Sequence, residues 1–262
     1  MRRVYIHIHI PKCGGTTISS YLRECFGEGL MTTNSILNNY QYSSNQVHEI
    51  ITAYPDLRCL TGHKLSLDLP FDKSDFEIIP FTWIRNPVER FISHYFFHRN
   101  QTDFVPEAKR LNLSDYITWA LEEGHQSMYI NGQVQFLSGG EIDIITNAMS
   151  EHNLLLFPLE DLDASILTLV KRFPEDFLPV RPNIKNMSTK DQSVTQKDYD
   201  RIRSFVELDL QLLMIARDTV FSKNGANEYP DRKMLHTPLR KKIIRHTSKL
   251  VRSMADRIDK LC

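Results

Sequence analysis

The sequence predicts an α/β domain with a small central parallel sheet flanked by helices, and three stretches carry that prediction. Residues 4–10 alternate β-branched and aromatic side chains, then break at Pro11 into a glycine-bearing loop that leads into a helix. Residues 78–84 are nearly all apolar, as expected of a parallel strand covered on both faces, and run straight into a second helix. Residues 154–157 form another short apolar run with a helical pattern behind it at 159–173. At 262 residues the chain is long enough to bury a full core.

The first strand places Ile6, Ile8 and Ile10 on one face and Tyr5, His7 and His9 on the other. Pro11 has no N–H to donate and ends the ladder. Gly14 and Gly15 allow backbone angles and close approaches that a side chain would block, and Thr16 to Leu22 read as the opening turns of a helix ending near Gly27–Gly29. Amide groups in such a turn, added to the positive end of a helix, make a phosphate site. Lys12 supplies a full charge and the hydroxyls of Thr16 and Thr17 further donors. Lys12 precedes both glycines, whereas the Walker A order G-x-x-x-x-G-K-[ST] puts the lysine after them, so this is a phosphate loop of another kind.

Residues 31–55 are polar and asparagine-rich, and read as loop with one short helix at 45–51. Residues 58–63 read as a short strand running out into a loop at Gly62-His63. Pro80 predicts either an edge position for its strand or a start at Phe81. Beyond Arg85 the helix signals are complete: Asn86 as N-cap, Pro87 at the first helical position, Glu89 where a capping-box carboxylate stands. An arginine at the carboxyl end of a strand, with Ser93 two helical turns later, makes a second anion corner; the plainer alternative pairs Arg85 with a carboxylate and leaves Ser93 in solvent. Helices are expected at 113–123, 128–137 and 141–152, a proline-rich loop at 174–190, and one long helix over 195–222. The main domain is drawn at 1–225. Residues 226–262 form a basic amphipathic segment, either packed by its apolar side or contacting an acidic polymer or membrane surface.

Lys and Arg total 32 against 32 Asp and Glu, so no global field marks a nucleic-acid partner. The four cysteines, Cys13, Cys25, Cys59 and Cys262, fall in no metal-ligand spacing and predict free thiols in a reducing compartment. The first strand begins almost at Met1 and no apolar run is long enough for a bilayer, from which a cytoplasmic location is expected.

Residues 11–17, Pro-Lys-Cys-Gly-Gly-Thr-Thr, resemble the 5′-phosphosulfate loop of sulfotransferases that use 3′-phosphoadenosine 5′-phosphosulfate (PAPS), in particular the group of heparan sulfate 2-O-sulfotransferase and its bacterial relatives. Arg85 and Ser93 resemble that family's 3′-phosphate motif, and Gly62-His63 its catalytic Gly-His. The resemblance implies a P-loop-NTPase-like three-layer fold and PAPS as co-substrate, with no metal expected. It implies a cofactor site of Lys12, Cys13, Gly14, Gly15, Thr16, Thr17, Arg85 and Ser93, with Ser188 and Lys190 from the later loop beside Asn186 and Thr189. His63 would act as general base on a hydroxyl of a glycan or glycolipid, and Lys12 would stabilise the departing phosphate. His7 and His9 are rivals for the base, and His94 and His98 could reach the acceptor, to which Lys64, Arg90 and Arg99 would attract an acidic glycan. Cys13 stands where the family often has Thr and Asn86 where it often has Asp; neither change removes a needed charge. The animal enzymes of that group carry a membrane anchor, so a bacterial enzyme, or a chain freed of its anchor, is expected. The alternatives are a P-loop nucleotide kinase, which needs an Asp where Arg85 stands, and a nucleotide-binding module without catalysis.

Overall fold

Five strands, β1 (Arg2–Ile8), β2 (Leu30–Thr33), β3 (Cys59–Gly62), β4 (Phe76–Ile84) and β5 (Leu155–Pro158), pair in parallel in the order β2-β3-β1-β4-β5. The computed structural model describes residues 1–33, 41–73, 75–182 and 193–222. The helices among them are α1 (Gly15–Phe26), α2 (Ser44–Ala53), α3 (Pro87–Gln101), α4 (Pro106–Arg110), α5 (Leu113–Ile117), α6 (Gly132–Ser138), α7 (Ile142–Glu151), α8 (Leu162–Arg172), α9 (Gln196–Arg203) and α10 (Glu207–Ser222).

The alternation of β1 divides the core. Val4, Ile6, Ile8 and Ile10 pack with Val47 and Ile51 of α2, Val134 and Leu137 of α6, Ile145 of α7, and Leu212 and Ala216 of α10. Tyr5, on the opposite face, packs with Ile18, Tyr21 and Leu22 of α1, Phe81 and Trp83 of β4, and Ile166 and Leu169 of α8. The sheet is thus covered on both sides, which gives the three-layer P-loop-like α/β fold. A third cluster joins α3 to α4, α5 and α9 through Phe91, Tyr95, Ala108, Tyr116 and Ile202. Burying apolar surface on both faces is the dominant stabilising term in such a layered domain.

Three expectations need correction. The stretch read as loop after residue 30 contains β2, a four-residue edge strand paired with β3 alone. Its brevity and partial exposure hide it beside the asparagines that follow. β4 is not an edge strand, since β1 and β5 flank it, and it starts before Phe81. Pairing with β5 begins only at Phe81↔Leu155, so Pro80, paired with Ile6, lies where β4 has a neighbour on one side. The long helix over 195–222 is two helices. α9 opens with a reciprocal capping box between Thr195 and Asp198, and α10 starts afresh where the Asn131 side chain accepts from the amides of Leu208 (2.9 Å) and Asp209 (3.3 Å). The proposed segment 226–262 lies outside the described residues. No helix among the described residues is long and apolar enough to cross a membrane.

Candidate functional site

The chain runs from β1 outward to β2, returns to β3, and then crosses to β4 on the other side of β1, so the strand order reverses at β1, and open α/β sheets take ligands at the carboxyl end of such a point. Residues 9–14 fill that position. Lys12 (φ 67°) and Gly14 (φ 77°) both adopt left-handed backbone angles, which curls the loop into a concave row of amides. For Lys12 that conformation costs about 1–2 kcal/mol, a strain that survives only when its surroundings enforce it. They do: the Pro11 carbonyl accepts from Arg90 Nε and the Lys12 carbonyl from Arg85 Nη1, each at 3.1 Å, while Cys13 N donates to Ile10 O at 3.2 Å. Two of the loop's carbonyls are thus held by arginine side chains. Gly15 opens α1, and a Cβ there would lie 1.6 Å from His9 Nε2, so any larger residue would have to displace the His9 ring.

The second corner is the end of β4. The Asn86 side chain caps α3 by accepting from Val88 N (3.0 Å) and Glu89 N (3.2 Å). Glu89 in turn accepts from Tyr199 of α9 at 2.6 Å. The Arg85 peptide is gripped on both sides by one buried side chain, Gln133 of α6: Arg85 N donates to Gln133 Oε1 (2.9 Å) and Gln133 Nε2 donates to Arg85 O (2.8 Å). The two corners are therefore in contact through Arg85 Nη1 and the Lys12 carbonyl.

Beside them runs a stack of imidazoles. His9 N donates to Gly62 O at 3.1 Å, one rung past the ladder, and there the His63 ring takes the place of a backbone donor, with Nδ1 2.7 Å from the His9 carbonyl. A carbonyl only accepts, so Nδ1 carries the hydrogen and Nε2 of neutral His63 keeps its lone pair. The rings of His9 and His63 stack at 4.0 Å, and His7 lies behind at 5.5 Å from His9. Burial lowers the basicity of His63, partly opposed by its bond to the His9 carbonyl. His7 is pushed down to about 3 by complete burial and by His63, and His9 is driven well down by the same two causes with His7 added. His7 Nδ1 lies 2.7 Å from Thr61 Oγ1, which makes it a satisfied core residue. Of the three, His63 is the ring that pairs a defined tautomer with partial exposure.

The charge around the loop is mixed: Lys12, Arg85 and Arg90 are cationic, while the buried Asp209 carboxylate acts on Arg90 and Glu160 accepts from Asn86 N at 2.7 Å. Among the described residues no carboxylate lies within ion-pairing distance of Lys12, Arg85 or Arg90. The Lys12 ammonium rests over the Phe97 ring at 3.9 Å, and burial together with the Arg85 charge brings its pKa down to about 8. His94, buried on α3, has both ring nitrogens without a hydrogen-bond partner among the described residues. Burial, then the charges of Arg90, His98, Lys12 and Arg85, keep it neutral. Buried polar atoms seldom go unpartnered, so these two ring nitrogens stand out within the packed helix α3.

The structure thus brings Lys12, Cys13, Gly14, Gly15, Arg85 and His63 together at one crevice, with Thr16 exposed and Thr17 buried at the start of α1 and Ser93 half-buried on α3. Ser188 and Lys190, like Asn186 and Thr189, lie outside the described residues. Three cations expected to attract an acceptor are occupied elsewhere. Arg90 is buried on the Pro11 carbonyl; Lys64 is buried, 5.2 Å from the Tyr42 ring; Arg99 donates to the carbonyls of Ala108, Lys109 and Leu111 at 3.2–3.3 Å. Gln133 and Asp209, which brace the site, went unnoticed in the sequence. Residues 130–137, Ile-Asn-Gly-Gln-Val-Gln-Phe-Leu, carry two glutamines, and nothing there separates buried Gln133 from the exposed Gln135.

The chain matches the model of the Sulfotransferase family over residues 2–133, half of its length. No curated protein matches its sequence. Among solved structures it is similar to a sulfotransferase from Alicyclobacillus acidocaldarius, with 12% identity over 83% of this chain and 96% of that one and a TM-score of 0.46. It is also similar to mouse sulfotransferase SULT7A1 complexed with PAP, with 15% identity over 98% of this chain and 82% of that one and a TM-score of 0.41. The matched span runs from β1 through the phosphate loop, His63 and Arg85 to Gln133, and on that match the chain belongs to the sulfotransferase family.

Proposed function

We propose that this sulfotransferase takes the sulfuryl group from PAPS and delivers it to a hydroxyl of a glycan or glycolipid, in the manner of the heparan sulfate 2-O-sulfotransferase group. The observation that carries the reading is the contact between the two anion corners, Arg85 Nη1 on the Lys12 carbonyl at 3.1 Å, with His63 beside them. The residues present fit a ligand with two separated phosphates: left-handed backbone at Lys12 and Gly14, and two cations, Lys12 and Arg85, without an ion-pair partner among the described residues. PAPS supplies a sulfuryl group already attached to a phosphate leaving group.

The chain's residues then have distinct tasks. The loop amides and Lys12 hold the 5′ side, and Arg85 with Ser93 holds the 3′-phosphate. His63 Nε2 takes the proton of the acceptor hydroxyl as its oxygen bonds to sulfur, and the breaking S–O bond leaves its electron pair on the 5′-phosphate. Lys12 stabilises that developing charge. A transferred sulfuryl group carries less charge than a terminal phosphoryl group, so Lys12 and backbone amides suffice for it. A nucleotide kinase would need a Mg²⁺-holding carboxylate where β4 ends in Arg85. Residues 226–262 are proposed to touch an acidic polymer or a membrane surface.

Calorimetric titration tests the reading, with adenosine 3′,5′-bisphosphate set beside ATP and Mg²⁺. Tight binding of the bisphosphate, weakened severely by Arg85→Ala, with ATP ignored, is the expected result. Preference for ATP with Mg²⁺ would overturn it in favour of a kinase, and binding of neither would leave a module without catalysis.

A further inference from the structure

We infer that Gln133 is a positioning residue that fixes the spacing of the two anion corners, and so selects ligands carrying two phosphates over those carrying one. The inference rests on the PAPS reading and assigns a role to a residue outside both corners. Gln133 is fully buried, and its amide is used at both ends. Oε1 accepts from Arg85 N (2.9 Å) and from Cys13 Sγ (3.3 Å), while Nε2 donates to Arg85 O (2.8 Å). One side chain therefore touches the middle of the phosphate loop and both polar atoms of the peptide that carries Arg85. Turning the amide over would set its NH₂ against the Arg85 N–H, so its orientation is fixed by chemistry.

What holds Gln133 is equally well built. Its own N–H and that of Val134 donate to the buried Asp209 carboxylate at 2.9–3.0 Å, while Asn131 accepts from the Leu208 and Asp209 amides. α6 and α10 thus cap each other. Burial raises the Asp209 carboxyl pKa, against the opposing pull of Arg90 and the two amides. Arg90 closes the ring by donating Nε to Pro11 O (3.1 Å), and its guanidinium fills the space at Gly132, where a Cβ would meet Nη1 at 2.7 Å. The route from loop to Arg85 by way of Gln133 is rigid at each step.

Spacing matters only to a ligand that engages both corners. Once one phosphate is bound, the other meets its site at an effective concentration set by how narrowly that site is held, and looseness of about 1 Å can cost up to ~100-fold. A monophosphate does not feel this. For Gln133→Leu the expected result is a loss of about tenfold or more in affinity for adenosine 3′,5′-bisphosphate, with 5′-AMP and 3′-AMP changed by less than about threefold. Gln133→Glu keeps the acceptor and loses the donor to Arg85 O; it should retain an intermediate preference for the bisphosphate, and it serves by the same criterion if the leucine variant does not fold. Equal weakening of all three ligands would reduce Gln133 to a general structural role, and unchanged bisphosphate binding would remove the role altogether. If the unaltered protein itself fails to prefer the bisphosphate, the PAPS reading falls, and that outcome is visible before any variant is made.

Discussion

Arg3, at the amino end of β1, meets Glu77 at 3.1 Å, Glu175 at 2.9 Å and Asp176 at 3.2 Å. Asp176 also pairs with Arg58 and accepts from the Tyr5 hydroxyl at 2.6 Å. Lys12, just past the carboxyl end of the same strand, rests on an aromatic ring, and Arg85 and Arg90 donate to backbone carbonyls. One end of the sheet has spent its charges on its own fold. The other holds Lys12 and Arg85 without an ion pair among the described residues, a histidine whose ring nitrogens lack partners there, and a left-handed lysine backbone, features that lower stability.

Two substitutions should pull the ends apart. Lys12→Ala is expected to lower the rate of sulfuryl transfer by about 10²–10³, the usual cost of losing a group that stabilises developing negative charge. Its melting temperature should hold or rise, because a half-buried cation with an aromatic contact but no ion pair among the described residues is removed; a marked fall would show that Lys12 belongs to the fold. Asp176→Ala should do the reverse. It leaves the Tyr5 hydroxyl and Arg58 without that carboxylate and takes from Arg3 one of its three, at a cost of about 1–3 kcal/mol, or roughly 3–10 °C in Tm for a domain of this size. Turnover at room temperature should stay close to that of the unaltered protein, and calorimetry beside a sulfation assay reads both halves of the contrast.

The sequence made the two ends unequally legible. At the carboxyl end the signals are local: Gly14 and Gly15 after a strand, Asn86-Pro87 opening a helix, Arg85 where a strand stops. Each is fixed by backbone chemistry within a few residues, so the loop, the cap and the order of the corners could be read in advance. What braces them could not. Gln133 and Asp209 act across 48 and 76 residues of chain, and nothing in their neighbourhoods separates a buried strut from a solvated side chain. The same limit joined α9 to α10 in the expected pattern, since apolar spacing runs unbroken through Phe205 and Val206 and the new start is imposed by Asn131 from elsewhere. β2 was lost for a different reason: four residues give too little alternation to register.

The pH dependence should show both kinds of group. His63 is lowered from its ordinary 6.5 by burial, so the acid limb of kcat/KM is expected below pH 6.5, where the base becomes protonated. Lys12 at about 8 sets the alkaline limb, and Lys12→Arg should remove it. Bound phosphate favours charged Lys12, so the alkaline limb of kcat should lie higher than that of kcat/KM. Stability follows the buried imidazoles. Below pH 6.5 the unfolded chain takes up protons that His7, His9, His63 and His94 refuse in the fold, so stability falls with pH across that range, for His7 down to about 3. Melting curves between pH 5 and 7.5 test this, and a flat profile would mean that these imidazoles titrate in the fold as they do in the unfolded chain.

The smallest effect expected is none at all, at the thiol inside the loop. A cysteine beside two arginines is the usual setting for a reactive thiolate, and Arg90 and Arg85 do pull Cys13 in that direction. Burial wins, pushing its pKa up to about 12, and Sγ donates to Gln133 Oε1 instead of standing ready as a nucleophile. Cys25, half-buried with a pKa raised to about 11, is the better target, while Cys59 is fully buried and shifted further still. Peptide mapping after iodoacetamide treatment at neutral pH should therefore find Cys25 modified well before Cys13 or Cys59, with activity kept. Early labelling of Cys13, suppressed by adenosine 3′,5′-bisphosphate, would mean that the loop opens in solution and that the strain at its carboxyl end is released, not stored, between turnovers.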